Sequence, residues 1–158
     1  MQDVKTLFLS DVHLGSRHAQ TKALLEFLND VEEHSPPEKL YIIGDFIDGW
    51  KLKRKWKWNN ESNLILRKIL SFASQGTEVF YIAGNHDDFL RTFMHEFQIV
   101  EFGNINVGDE YIHETADGKK LLVLHGDQFD LVTRYASWVS KIGDVGYEFL
   151  LKLNTYVN

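Results

Sequence analysis

Cysteine is absent from this 158-residue sequence, and with it go disulfide frameworks, thiolate zinc sites and cysteine nucleophiles. Any bound metal must be held by carboxylate, imidazole or amide groups. Proline is nearly absent too, with only Pro36 and Pro37, and a 25% charged fraction argues against a linker or low-complexity chain. No apolar run reaches the length of a membrane-spanning helix. Met1 to Ser10 lacks a basic start, a sustained apolar stretch and a small-residue cleavage site, so the sequence reads as cytoplasmic. Basic residues are in deficit, 17 against 23 acidic, for a net charge of -6. That balance disfavours a general electrostatic grip on nucleic acid. Five of the 17 basic residues nevertheless fall between Lys51 and Lys57, a local exception.

What is present is a 44% hydrophobic composition over a length suited to one domain, enough for a core. Val4 to Ser10 is a short run rich in β-formers that ends at Asp11. Gln20 to Glu33 repeats apolar residues at helical spacing, and the two prolines stop it. Lys39 to Ile43 predicts a second strand, ending in Gly44-Asp45. Glu61 to Gln75 predicts a helix with Asn60 as N-cap and Gly76 as its stop. Glu78 to Ala83 is a third strand, ending in Gly84-Asn85. Further on, Ile99 to Phe102, Glu110 to Thr115 and Lys119 to Leu124 predict short strands, the last two joined by the hairpin signal Asp117-Gly118. Leu131 to Ile142 and Val145 to Val157 look helical. An α/β fold with mixed sheets flanked by helices fits this order, with polar residues placed where open α/β sheets bind ligands.

Four of these strands end in metal-competent side chains: Asp11 with His13, then Asp45, then Asn85 with His86, then His125. Singly, an Asp after a strand is a turn former and a lone His packs or faces solvent. Jointly, four such ends converging on one sheet edge could hold one or two divalent ions. Asp11 and His13, two apart, are expected to point the same way from an extended segment. Three of the eleven glycines, Gly44, Gly84 and Gly126, stand beside these residues, where a backbone without Cβ can turn sharply close to an ion.

The strings DVHLG at 11 to 15, GDFID at 44 to 48, GNHD at 84 to 87 and HGD at 125 to 127 together resemble the ordered signature of the calcineurin-like metallophosphoesterases. The wider wording is most similar to the branch of UDP-2,3-diacylglucosamine hydrolases and their uncharacterised homologues, a branch associated with lipid A synthesis in Gram-negative bacteria. The resemblance implies a four-layer α/β/β/α sandwich, with residues 1–128 as the core and 129–158 as the start of a helical cap. It makes Asp11 and His13 ligands of a first metal, Asp45 a bridging carboxylate, and Asn85 and His125 ligands of a second. His86 becomes the catalytic histidine beside the metals, oriented by Asp48. Two divalent ions are implied, with Mn as first choice and Fe or Zn as alternatives. Two departures accompany the match. The lipid-A hydrolases typically carry Arg where this chain has His86, and their closing Gly-His-x-His motif has no counterpart, since no histidine follows His125. The expectation is a chain ending before its family's last motif, with weaker metal binding and slower hydrolysis than a full-length relative.

The stretch Lys51 to Trp58 follows Asp48 closely and is read either as recognition of an anionic substrate or as a solvated connection. In the first reading Arg54 and Lys53 contact phosphate and Trp56 a base, sugar or acyl chain. The expected function is hydrolysis of a phosphoester or pyrophosphate in a nucleotide- or lipid-linked substrate, with peripheral contact at the inner membrane left open. Within the enzyme class the alternative is a general phosphodiesterase, nuclease or protein phosphatase. The competing class is a binding module that grips an anionic partner through Lys53, Arg54 and Lys57. Asp87 receives only a supporting or capping role.

Overall fold

In the computed structural model, which describes residues 4–52, 57–97 and 101–130, the three expected apolar runs form β1 (Thr6–Ser10), β2 (Lys39–Ile43) and β3 (Glu78–Ile82). They lie side by side and parallel, with Ser10 level with Ile43 and Ile43 level with Ile82. Because the strands end in register, the segments that follow them leave the sheet at one edge. Two further strands extend the sheet in the order β1-β2-β3-β5-β4: β4 (Glu101–Phe102) and β5 (Ile105–Gly108), with β5 parallel to β3 and antiparallel to β4. Nothing in the sequence reading anticipated β5, whose four half-buried residues are too few to display a period.

β2 alternates between two packed faces, as an interior strand must. Leu40 and Ile42 join Leu7 and Val79 under two helices, α1 (Thr21–His34) and α3 (Asn60–Ser74), which contribute Leu28, Val31, Ile65, Ile69 and Phe72. Tyr41 and Ile82 face the other way, onto Val123, with Phe80 and Tyr111 alongside. Burying each such aliphatic side chain stabilises the fold by about 1.5–3 kcal/mol. The second face is covered by a hairpin of β6 (Glu110–Glu114) and β7 (Lys120–Leu124), antiparallel and separate from the main sheet. Its turn contains Asp117 and Gly118, the latter at φ +77°, as the sequence suggests.

Two shorter α-helices are the single turn α2 (Gly49–Leu52) and α4 (Asp88–Phe97), and a 3-10 turn, Asp127–Phe129, follows β7. The N-cap of α3 is Asn59 rather than Asn60. Its backbone is extended and its side chain accepts the Ser62 N–H at 2.9 Å, whereas Asn60 is already helical. The architecture is the expected mixed α/β fold: helices, a five-stranded sheet and a hairpin. Residues 131–158, where the sequence suggests two helices and a cap, lie outside the described residues, as do Lys53, Arg54 and Trp56.

Candidate metal centre

The level ends of β1, β2 and β3 bring Asp11, Asp45 and the Asn85-His86 pair to one place, and β7 delivers His125 to it from the separate hairpin. The four strand ends therefore do converge, but from two sheets rather than one. The local backbone also differs from the extended segment expected after β1. Asp11, His13 and Asp45 have φ of 54°, 53° and 52°, left-handed values that non-glycine residues rarely adopt. Hydrogen bonds hold the turns in this shape: the His13 N–H donates to the Asp45 carbonyl at 2.8 Å and the Leu14 N–H to the Phe46 carbonyl at 2.8 Å.

Two groups of donors result, His13 with Asp45 and His86, and Asp11 with Asp45 and His125, the atoms of each within 4.8 Å of one another. Asp45 belongs to both. Its Oδ2 lies 3.7 Å from His13 Nε2 and 3.9 Å from His86 Nε2, while its Oδ1 lies 3.9 Å from His125 Nε2. Asp11 Oδ1 is 3.9 Å from His125 Nε2 and 4.0 Å from His13 Nε2, so it stands between the groups. Asn85 occupies the bend between Gly84 and His86, half-buried.

These separations exceed hydrogen bonds, yet they match donors set across an ion with bonds of about 2.0–2.2 Å. The donor set, oxygens and imidazole nitrogens without sulfur, suits a borderline divalent metal. Space for it is kept by two glycines. A Cβ on Gly84 would stand 2.3 Å from Asp45 Oδ1, and one on Gly44, itself at φ +62°, 2.2 Å from the His125 ring. The residues present fit the metal ions that the motifs imply.

His86 is held on three sides. Its Nδ1 lies 3.0 Å from Asp48 Oδ1, its ring meets that of His13 edge-on, and Trp50 stacks on it with centroids 4.1 Å apart. Burial acts to raise the Asp48 carboxyl, which is 2% exposed, but is outweighed. The hydrogen bond with His86, the Lys51 N–H and the charges of His86 and His13 hold it below the usual carboxylate range. Sequence alone gives Trp50 no role, although its place directly after Gly49, which follows the GDFID string, is a signal.

Beneath the centre lies Asp87, fully buried. Its carboxylate accepts the N–H groups of Asp45 (3.3 Å), Phe46 (3.0 Å) and Gly84 (2.5 Å) and the hydroxyl of Tyr81 (2.6 Å). Burial first, then the charge of Asp87 and the hydrogen bond to it, push the Tyr81 phenol well above its ordinary value, so it remains a donor. One side chain thus ties the loop carrying Asp45 to the loop carrying Asn85 and His86. The backbone reciprocates, with the His86 N–H donating to Asp45 Oδ1 at 2.9 Å.

Among known proteins, "UDP-2,3-diacylglucosamine hydrolase" of Psychromonas ingrahamii is 28% identical over 137 residues, covering 83% of this chain and 51% of that protein. The protein of the same name from Photorhabdus laumondii is 33% identical over 128 residues, covering 77% and 48%. The chain spans about half the length of the curated relatives it matches. Among solved structures, a Pseudomonas putida nuclease, MPE, overlaps with a TM-score of 0.40 and 24% identity, over 70% of this chain and 50% of that one. A family model described as calcineurin-like phosphoesterase matches residues 4–152. Its span runs from before β1 to beyond β7 and takes in every residue that meets at the centre; the chain belongs to the calcineurin-like phosphoesterase family.

Proposed function

We propose that the chain carries the active centre of a phosphohydrolase that depends on two divalent metal ions and cleaves a phosphoester or pyrophosphate bond. The observation that carries this reading is the Asp45 carboxylate, which turns one oxygen to His13 and His86 and the other to His125. A shared carboxylate of this kind suits a pair of ions whose mutual repulsion it offsets. Asp11, His13, Asp45, Asn85 and His125 would hold them, Mn being the ion proposed and Fe or Zn the alternatives. Bound there, the ions supply Lewis-acid polarisation of the phosphoryl group and of an attacking water.

The chain's own residues do the rest. Asp48, ionised at neutral pH, accepts the proton of His86 Nδ1 and leaves Nε2 turned toward Asp45 and the donor groups. A proton at Nε2 stabilises charge on the phosphoryl oxygens and passes to the departing oxygen. Trp50, stacked on the ring, restricts its rotation and shields that face from water.

A nucleotide- or lipid-linked pyrophosphate, of which UDP-2,3-diacylglucosamine is one, is the substrate class proposed; the names of the relatives support it. Contacts to it from Lys53, Arg54 and Trp56, a core ending at residue 128, and a cap over 129–158 that reaches a membrane surface belong to the same proposal. Among the described residues no helix is long and apolar enough to cross a membrane. The test is hydrolysis of bis(p-nitrophenyl) phosphate by metal-stripped protein titrated with Mn. Turnover should appear with the metal and fall at least about 100-fold in Asp45→Asn, a loss within the range of a central electrostatic group. Hydrolysis indifferent to EDTA, or a variant as active as the parent, would overturn the reading.

A further inference from the structure

Two cavities adjoin along the loop that follows β1. The first, about 450 Å³, is lined by Asp11, His13, Asp48 and His86 of the centre and opens past Ser16 and Ala19. The second, about 380 Å³, shares Ser16 and Ala19 and adds Arg17, Lys57, Trp58 and Asn59. Among the described residues no carboxylate lines the second cavity, in a chain of net charge -6. Arg17 and Lys57 are exposed there, and neither forms an ion pair with another described residue. Among the other described cations, Lys5, Lys39, Lys68, Arg91 and Lys119 are matched to a nearby Asp or Glu, whereas Lys22, Lys51, Arg67 and Lys120 are not; Arg17 and Lys57 are set apart from these by sharing one cavity.

The walls are braced from behind. Trp58 is half-buried, and its Nε1–H donates to Asn63 Oδ1 at 2.7 Å, which fixes the ring beside the two cations. Asn59 spends its side chain on the Ser62 N–H and on Thr21 Oγ1, joining the start of α3 to that of α1. Three residues separate His13 from Arg17, so the backbone sets their Cα atoms no more than about 14 Å apart. The two cavities share Ser16 and Ala19 as wall residues, so the flexible Arg17 side chain is placed next to the cavity that holds the centre.

We propose that Arg17 and Lys57 form a second anion subsite, which takes another phosphoryl group of the same small-molecule substrate, with Trp58 offering a flat surface to what is attached. The inference rests on the phosphohydrolase reading of the centre and narrows it: substrates with two phosphoryl groups are preferred over those with one. The planar guanidinium grips two phosphate oxygens at once, and the ammonium adds a point charge. A nucleic-acid strand also carries successive phosphates, but the acidic balance of the chain works against it.

Two measurements on Arg17→Ala/Lys57→Ala test this. With Mn present, the ratio of kcat/KM for UDP-glucose to that for bis(p-nitrophenyl) phosphate should fall at least about tenfold, the scale of one lost charge-assisted hydrogen bond. Arg17→Lys should restore part of it. A ratio within twofold of the parent overturns the proposal. In EDTA, where the centre contributes no metal, inorganic pyrophosphate should bind the parent at least about tenfold more tightly than the double variant. Equal affinities overturn the proposal, and so does a loss seen for a single-stranded oligonucleotide but not for pyrophosphate. If the parent hydrolyses neither ester, the phosphohydrolase reading fails, while the pyrophosphate titration still decides whether the subsite exists.

Discussion

Asp87 shows what a single buried side chain does for this centre. Four groups donate to its carboxylate, three of them backbone N–H groups on both oxygens, an arrangement that asparagine cannot reproduce because its amide would turn N–H toward at least one backbone N–H. Asp87→Asn is expected to lower stability by about 3 kcal/mol, and Tyr81→Phe, which removes one donor of the four, by about 1–2 kcal/mol. Urea unfolding in EDTA reads both, and a double variant should be less destabilised than the sum because the two groups share one bond. Losses under 1 kcal/mol for Asp87→Asn would mean that the loops hold their shape without it. The ligand-type residues were legible in the sequence because the chemistry demands their side-chain types at strand ends. The role of Asp87 was not, since an Asp beside a motif looks alike whether it caps a turn or accepts four donors. Nor were the left-handed turns at Asp11 and His13, which depend on backbone bonds to the Gly44, Asp45 and Phe46 carbonyls in the loop that follows β2.

Among elements, the β6–β7 hairpin has the most to do with the centre, because β7 ends at His125. Tyr41 on β2 and His113 on β6 join it to the main sheet, with the tyrosine oxygen 3.2 Å from His113 Nδ1. Tyr41 is also stacked between Phe8 and Phe80, and burial, followed by the charge of Glu78, raises its hydroxyl above the ordinary value. Tyr41 lies four residues before Asp45, and His113 pairs with Leu121, four residues before His125. The contact therefore sets the register in which His125 meets Asp45. Tyr41→Phe should lower stability by about 1 kcal/mol and speed amide hydrogen exchange in β6 and β7 more than in β1 to β3. An even acceleration over both sheets would contradict that local role. At this scale the sequence showed most of the strands and the hairpin turn, through periodicity and Asp117-Gly118. It did not show that β7 belongs to a second sheet, because a strand's partners depend on contacts far apart in the chain.

For the molecule as a whole, acid should weaken the fold in a way that passes through Asp48. Its pKa is lowered in the folded state, so the unfolded chain binds a proton more readily and stability is lost as pH falls. The contribution is complete above the ordinary carboxylate value, 3.8, and disappears as pH drops through the lower value of the folded protein. Metal-free protein unfolded by urea across pH 2.5 to 6, roughly the carboxylate range, should show a steeper acid loss than Asp48→Asn does. Identical pH slopes would remove Asp48 from the account. The mixed α/β class and the family were legible at this scale because four ordered strings span the chain, whereas the loop-lined cavity beside Arg17 and Lys57 has no sequence period to announce it. The three left-handed residues carry one more consequence. Each non-glycine residue at such a φ costs about 1–2 kcal/mol, and all three are residues of the candidate centre. A population of variants selected for heat resistance alone would drift toward glycine at positions 11, 13 and 45, becoming sturdier as it lost the centre. With two aspartates and a histidine there, the demands of the centre and the durability of the fold pull in opposite directions.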